Sequence, residues 1–347
     1  MRTPADSSLD TDPVAAHLDR AWELLDRGDV TGAAVAADRA AELAPKDPEV
    51  LTLRGAVAAA RGDTADALEL YEAAAAEDPD YASPLLQSAE LQLYTLDDHE
   101  AALRLADEAL EVCADGDERV DALLLKAAAL RAAGDEEGAH AVAVELRDAD
   151  IEDPGLRVRA ALACFDAGDL DAAERHLRAA LAADDGLADA HHALGLVCEA
   201  RGDVDGMRAA WLRCRELDLR APPPPWHVTP DEFHAMAERA FQSLPEQARA
   251  RLGNVPILVC DYPSVEVVAE GNDPRMLGFF SGVPYGDKPN VGDAPTGPDC
   301  VFLYQRNIES ACRDGDDLEH EVYVTLWHET AHFFGLDDDD LERIGLD

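Results

Sequence analysis

A recurring turn constrains this chain more than any other feature. A Gly-Asp pair stands at 28–29, 62–63, 134–135, 168–169 and 202–203, and Asp97-Asp98 fills the same slot once. The intervals are 34, 35, 37, 34 and 34 residues. An apolar run with helical spacing precedes each pair (LTLRGAVAAARGD), and a second follows it (TADALELYEAAAAEDP). Helix, tight turn, helix, acidic turn: one such unit cannot bury its apolar face alone, so neighbours must stack.

Five residues into the first five turns stands alanine (Ala33, Ala67, Ala102, Ala139, Ala173), and the sixth has Met207. Small residues recur in the first helix of the units (Ala21, Gly55, Ala127, Ala161, Gly195) and in the second (Ala40, Ala74, Ala109, Ala180). Pro45 and Pro79 end second helices, and Tyr71 sits inside one. This pattern resembles the tetratricopeptide repeat family over six units, roughly 14–218, although Asp185 replaces the terminal proline of the fifth. The resemblance implies an all-α superhelical solenoid over 14–220 whose groove takes a protein or peptide ligand. Acids outnumber bases along it, which fits a cationic or amphipathic ligand and equally a merely solvated surface.

The periodicity stops at Ala221-Pro222-Pro223-Pro224-Pro225-Trp226. Four consecutive prolines cannot continue a helix and favour an extended spacer. The expected organisation is a disordered tail (1–13), the solenoid (14–220), a proline-rich linker (221–229) and a second domain (230–347).

Charge narrows the partners. With 29 Lys+Arg against 73 Asp+Glu, the formal charge of −44 disfavours nucleic acid and anionic membrane surfaces. The first 22 residues lack the apolar core of a secretory signal, and no stretch is apolar enough to span a bilayer, so a cytoplasmic location is expected. Seven widely spaced cysteines without a CxxC pair read as buried small hydrophobes rather than a cysteine zinc site.

The second domain carries the chemistry. LEHEVYVTLWHETAHFFGL (318–336) has apolar residues at helical spacing and contains His328-Glu329-Thr330-Ala331-His332. On a helix the two histidines, four apart, share a face and can meet one ion, with Glu329 beside a water that the ion would hold. Gly335 is suited to ending the helix in the left-handed conformation. The chain can then return Asp338 to the metal, at the spacing of a third ligand in HExxHxxGxx(H/D) patterns; Asp337 is the alternative within the run Asp337–Asp340. No methionine follows Met276, so the floor of the metzincins is absent. Val301-Phe302-Leu303-Tyr304 reads as a strand. Tyr304 is a candidate hydrogen-bond donor to a substrate oxyanion or a packed strand tyrosine, and Arg306 is expected to pair with an acid. The Gly/Pro-rich stretch 281–299 reads as a lid or as a surface insertion.

NVPILVCDYP (254–263), LGFFSGVPYG (277–286), CVFLYQRNIESAC (300–312) and WHETAHFFGLDDDDLERIG (327–345) occur in this order. Together they resemble the bacterial zincin-like metallopeptidases often called minimal zincins. That resemblance implies a small α/β domain over about 230–347, one Zn²⁺ held by His328, His332 and Asp338, and Glu329 as catalytic base. The expected function is a zinc-dependent metallopeptidase acting on a peptide or protein substrate recruited by the repeats. The alternative is a tetratricopeptide adaptor whose zinc domain is structural or catalytically weak.

Overall fold

The computed structural model describes residues 12–113, 116–253, 255–282, 299–337 and 343. The chain divides into two compact units, Met1–Asp185 and Gly186–Asp347. Among the described residues the first holds ten helices in five hairpins: α1 Pro13–Asp26 with α2 Val30–Leu43, α3 Pro48–Ala60 with α4 Thr64–Glu77, and α5 Ser83–Tyr94 with α6 His99–Val112. Then come α7 Asp117–Ala132 with α8 Glu136–Leu146, and α9 Pro154–Asp166 with α10 Leu170–Ala183. Each helix packs chiefly on its sequence neighbours, as a stacked solenoid requires.

The repeated dipeptide has two separable jobs. Gly28, Gly62, Gly134 and Gly168 all have φ between 73° and 83°, the left-handed conformation that closes a helix. A Cβ added at any of them would meet nothing within 4 Å. Glycine is therefore there for backbone freedom and not for space. The aspartate that follows caps the next helix. Asp29 accepts from the Gly32 amide, Asp98 from Ala101, Asp135 from Gly138 and Asp169 from Ala172, each at 2.8–3.0 Å. Each such cap is worth about 1 kcal/mol. Asp63 alone among these lacks the side-chain bond. In the third unit Asp97 takes the glycine slot with φ 55°.

A different glycine serves space. Gly55 in α3 lies under the Tyr71 ring of α4, where a Cβ would stand 2.4 Å from Cε1. Tyr71 is 1% exposed, and burial pushes its phenol well above the ordinary value.

The second unit begins with another hairpin, α11 Ala188–Ala200 and α12 Val204–Asp218, built on the same rules. Gly202 has φ 72°, Asp203 caps through the Gly206 amide, and Gly195 lies against the Trp211 indole. Next come α13 Pro230–Ser243, α14 Glu246–Leu252, β1 Ile257–Cys260, α15 Val265–Ala269, β2 Gly278–Ser281, β3 Cys300–Tyr304, α16 Gln305–Ala311 and α17 Gly315–Phe333. The three strands lie in the order β1-β3-β2. β1 is parallel to β3, with Ile257 opposite Val301, and β2 is antiparallel to β3, with Gly278 opposite Leu303. One core joins the sheet to α13 and α17: Phe233, Ala237, Val301, Leu303, Ile308, Leu318, Val322, Leu326 and Phe333 are all at most 4% exposed.

The division between units falls one hairpin before the tetraproline run. The run itself is tied down on its far side. The Trp226 indole donates to the Glu309 carbonyl, and His227 Nδ1 lies 2.8 Å from the Glu309 carboxylate. Glu309 is fully buried and also accepts from Gln305 Nε2 and the Val228 amide. The expected tail of 1–13 falls mainly on residues outside those described, and α1 starts at Pro13 with Asp12 as its cap. None of the seven cysteines forms a disulfide; five are buried, as anticipated, whereas Cys260 is exposed and Cys300 half-buried. Among the described residues no helix is long and apolar enough to cross a membrane.

The turn geometry yields a stability test. Asp97→Gly relieves the left-handed strain of an L-residue, about 1 kcal/mol, while the turn itself is kept. The helical circular-dichroism transition of the full chain should move up by a few degrees. Gly134→Ala should move it down.

Candidate metal and catalytic site

The site is written on one helix, α17, and its setting depends on how that helix ends. Asp314 caps the start, accepting from the Asp316 and Asp317 amides at 2.9 and 3.2 Å. At the other end Gly335 takes φ 86°, its amide bonds the His332 carbonyl, and the Leu336 amide reaches back to Ala331. This is the left-handed glycine terminator that the spacing predicted. It also has a chemical consequence. The Leu336 carbonyl lies 3.0 Å from His332 Nδ1. A carbonyl only accepts, so Nδ1 carries the proton and the lone pair resides on Nε2.

That lone pair faces the second histidine. His328 Nε2 and His332 Nε2 are 3.0 Å apart, with ring centroids at 4.7 Å and planes crossing at 80°. Two imidazoles sharing a tetrahedral zinc at ~2.0–2.1 Å place their nitrogens about 3.3 Å apart. The pair is within a few tenths of an ångström of that spacing, with the backbone carbonyl orienting one ring as metal ligands commonly require. The two histidines fit two of the ligand positions of a zinc ion.

Two donors do not complete a site. Among the described residues no group of three or more His, Cys, Asp or Glu is placed to hold a metal. Asp338, the expected third ligand, lies outside the described residues. Asp337 is described and exposed, and it forms no such group with the histidines.

Glu329 is 6% exposed and lies against Gly278 at the start of β2. A Cβ at Gly278 would stand 2.7 Å from Glu329 Cγ, 2.8 Å from its Oε1 and 2.9 Å from Thr325 Cγ2. Glycine here makes room for the carboxylate. Around it opens a cavity of about 620 Å³. Residues 276–280 form one wall; Glu321, Thr325, His328, Glu329 and His332 form the other. Further along, Phe280 packs edge-on against Phe333 at 5.7 Å, so β2 and α17 run side by side.

Other expectations are met only in part. The run 301–304 is a strand, but β3 is the central one, paired on both sides. The strand beside the histidines with one edge unpaired among the described residues is β2. Tyr304 is 2% exposed at the end of β3 and does not line the cavity. Burial, then the charges of Cys260 and Glu329, hold its phenol well above the ordinary value. Arg306 pairs with no acid among the described ion pairs; it donates to the Ala221 carbonyl at 3.1 Å and lies over the Tyr262 ring. The stretch 281–299 falls mostly outside the described residues. Gly278 and Glu321 gave no individual signal in the sequence, although Gly278 lies in the LGFFSG segment.

Gly278→Ala should leave zinc content unchanged and lower any hydrolysis by ~10–100-fold, since displacing a reacting group by about 1 Å costs that much. Metal analysis beside a peptide-cleavage assay checks both halves.

Parts of the chain are similar to known proteins. Cellulose synthase 2 operon protein C of Komagataeibacter xylinus is 37% identical over 128 residues, 36% of this chain but only 9% of that protein's length. Similar solved structures include pilF of Pseudomonas aeruginosa (17% identity, 65% of this chain and 97% of that one, TM-score 0.45). Another is a thermophilic TPR protein of Thermus thermophilus (21% identity, 51% and 94%, TM-score 0.43). Residues 252–346 match the family model described as zincin-like metallopeptidase, so the last part of this chain is similar to that family.

Proposed function

We propose that the chain is a zinc-dependent peptidase whose helical repeats bind a protein or peptide partner. The observation that carries this reading is the pair of Nε2 atoms 3.0 Å apart, one oriented by the Leu336 carbonyl, beside a buried glutamate that lines the same cavity. His328, His332 and Asp338 would hold the ion. When bound, zinc supplies Lewis acidity, which polarises a carbonyl and makes water a nucleophile near neutral pH.

The remaining work falls to the chain's own groups. The edge of β2 that is unpaired among the described residues offers backbone donors and acceptors to an extended peptide, which would lie across the cavity as an added strand. Packing of 276–280 against α17 keeps that edge close to Glu329. The Glu329 carboxylate takes a proton from the attacking water and returns it to the leaving amide nitrogen. Its burial against Gly278 and Thr325 restricts it to few rotamers, so little ordering is left for the transition state.

The repeats support a partner-binding role through their architecture alone. An adaptor with a silent zinc domain is the competing reading, and one substitution separates the two. Glu329→Gln keeps shape and removes the base. Zinc content should stay at the wild-type level while cleavage of a peptide library falls ~10²–10⁴-fold. Unchanged cleavage would remove Glu329 from the mechanism, and a zinc-loaded wild type that cleaves nothing would favour the adaptor. His332→Ala should lose the metal itself.

Substrate preference has a second handle. Glu321 lies seven residues before His328 on the cavity side of α17, about 10 Å along the axis. That equals roughly three residues of extended peptide. A basic side chain two to four positions from the scissile bond should be favoured, and Glu321→Lys should reverse that preference in a position-scanning library.

A further inference from the structure

The segment Asp273–Leu277 leads directly into β2, so whatever holds it decides where the edge of that strand left unpaired among the described residues lies. It is held from two directions. From α16, Asn307 (6% exposed) donates through Nδ2 to the Pro274 and Met276 carbonyls at 2.8 and 2.7 Å. From the hairpin α11–α12 comes a lattice of charge. Arg275 makes a two-pronged bond to Asp218 at the end of α12, 3.0 Å on each prong, and reaches Asp189 of α11 at 2.7 Å. His192 of α11 lies 2.9 Å from the Asp273 carboxylate, which also accepts the Arg275 amide at 2.7 Å.

The members differ in weight. Asp218 is 16% exposed at its side chain, Arg275 32%, His192 20% and Asp273 35%, whereas Asp189 is 73% exposed. A forked Arg–carboxylate bond shielded from water is geometrically specific, and breaking one partner leaves a costly charge behind. The exposed Asp189 contact contributes little. Burial would push the Asp273 carboxyl up, but His192 and Arg275 together hold it below the ordinary carboxylate value. Apolar packing underlies the charges: Met207 and Trp211 of α12 and Cys198 of α11 form one cluster with Val268 of α15. The Tyr262 hydroxyl, in the turn after β1, adds a bond to the Asp218 carbonyl at 2.9 Å.

We propose that α11–α12, the sixth repeat by sequence, is a working part of the catalytic domain, and that Arg275 with Asp218 positions the β2 edge on which a substrate backbone would lie. The hairpin lies wholly before residue 252, where the family match begins. Neither Arg275 nor Asp218 lines the cavity at the histidines; Met276 and Leu277, the residues next along the held segment, do. They are therefore positioning residues. The substrate half of this inference rests on the peptidase reading above, whereas the positioning half is a property of the fold.

The test uses the full chain and reads backbone hydrogen exchange as well as catalysis. Arg275→Ala should speed exchange of peptides covering 276–281 by at least ~10-fold, while α17 exchange, helical circular dichroism and zinc content stay at wild-type levels. KM for a cleaved peptide should rise by about 10-fold with kcat changed less than ~3-fold, the signature of lost binding without lost chemistry. Arg275→Lys keeps the charge but not the fork, so it should give intermediate exchange and restore most of the KM.

Wild-type exchange over 276–281 in the alanine variant would overturn the proposal. So would an equal rise in α17, which would make Arg275 a general stability residue. If Arg275→Ala does not fold, the lysine variant decides alone: wild-type exchange at 276–281 would overturn the proposal. If wild type cleaves no peptide, the peptidase reading fails, while the exchange measurement still tests the positioning of β2.

Discussion

The candidate site depends on the burial of one stripe of α17. Leu318, Val322, Leu326 and Phe333 are fully buried against α13 and the sheet. At about 1.5–3 kcal/mol for each such side chain, the stripe fixes the rotation of the helix far more strongly than any polar contact on it. With that face committed, the positions offset by about a third of a turn face the cavity. Glu321, Thr325, His328 and His332 form this second stripe, and Glu329 lies at its border with the core. The histidines converge because the helix cannot turn away.

The same coupling appears at the helix end. One glycine, Gly335, stops α17 and swings the Leu336 carbonyl onto His332 Nδ1. Termination of the helix and selection of the tautomer are thus one event. In the repeats, by contrast, the duties of glycine are divided. Gly28 and its equivalents supply a left-handed φ in open space, whereas Gly55 and Gly195 yield room to Tyr71 and Trp211. The period of the sequence follows from the first kind, and the closeness of these two hairpins from the second.

The sixth hairpin shows how one pattern can serve two contexts. Its turn obeys the same Gly-Asp rule as four of the five before it, yet its outer surface carries Asp218, Asp189 and His192 toward the segment before β2. Met207 stands where the other units have alanine, and it packs in the cluster with Val268 of α15. The departure from the repeat thus coincides with a packing partner that the other hairpins lack in their own unit. Repetition hid this from a reading of periodicity, which weighs what recurs and passes over what differs.

Local rules explain what was legible without coordinates. The helix hairpins, their caps, the left-handed glycines and the placement of His328 and His332 on one face all follow from interactions between residues within about five positions, which a sequence displays directly. The strand at 301–304 was legible for the same reason, but its central place was not, because strand order pairs residues 19 to 44 positions apart. Tyr304 could be read either as an oxyanion donor or as a packed strand tyrosine, and tertiary packing decides for the second, with 2% exposure. Gly278 against Glu329, Asn307 on the Pro274 and Met276 carbonyls, and Arg275 on Asp218 are likewise decided by the way distant segments pack. Each joins residues 31 to 57 positions apart, and no period or motif in the chain encodes which partners such distances bring together.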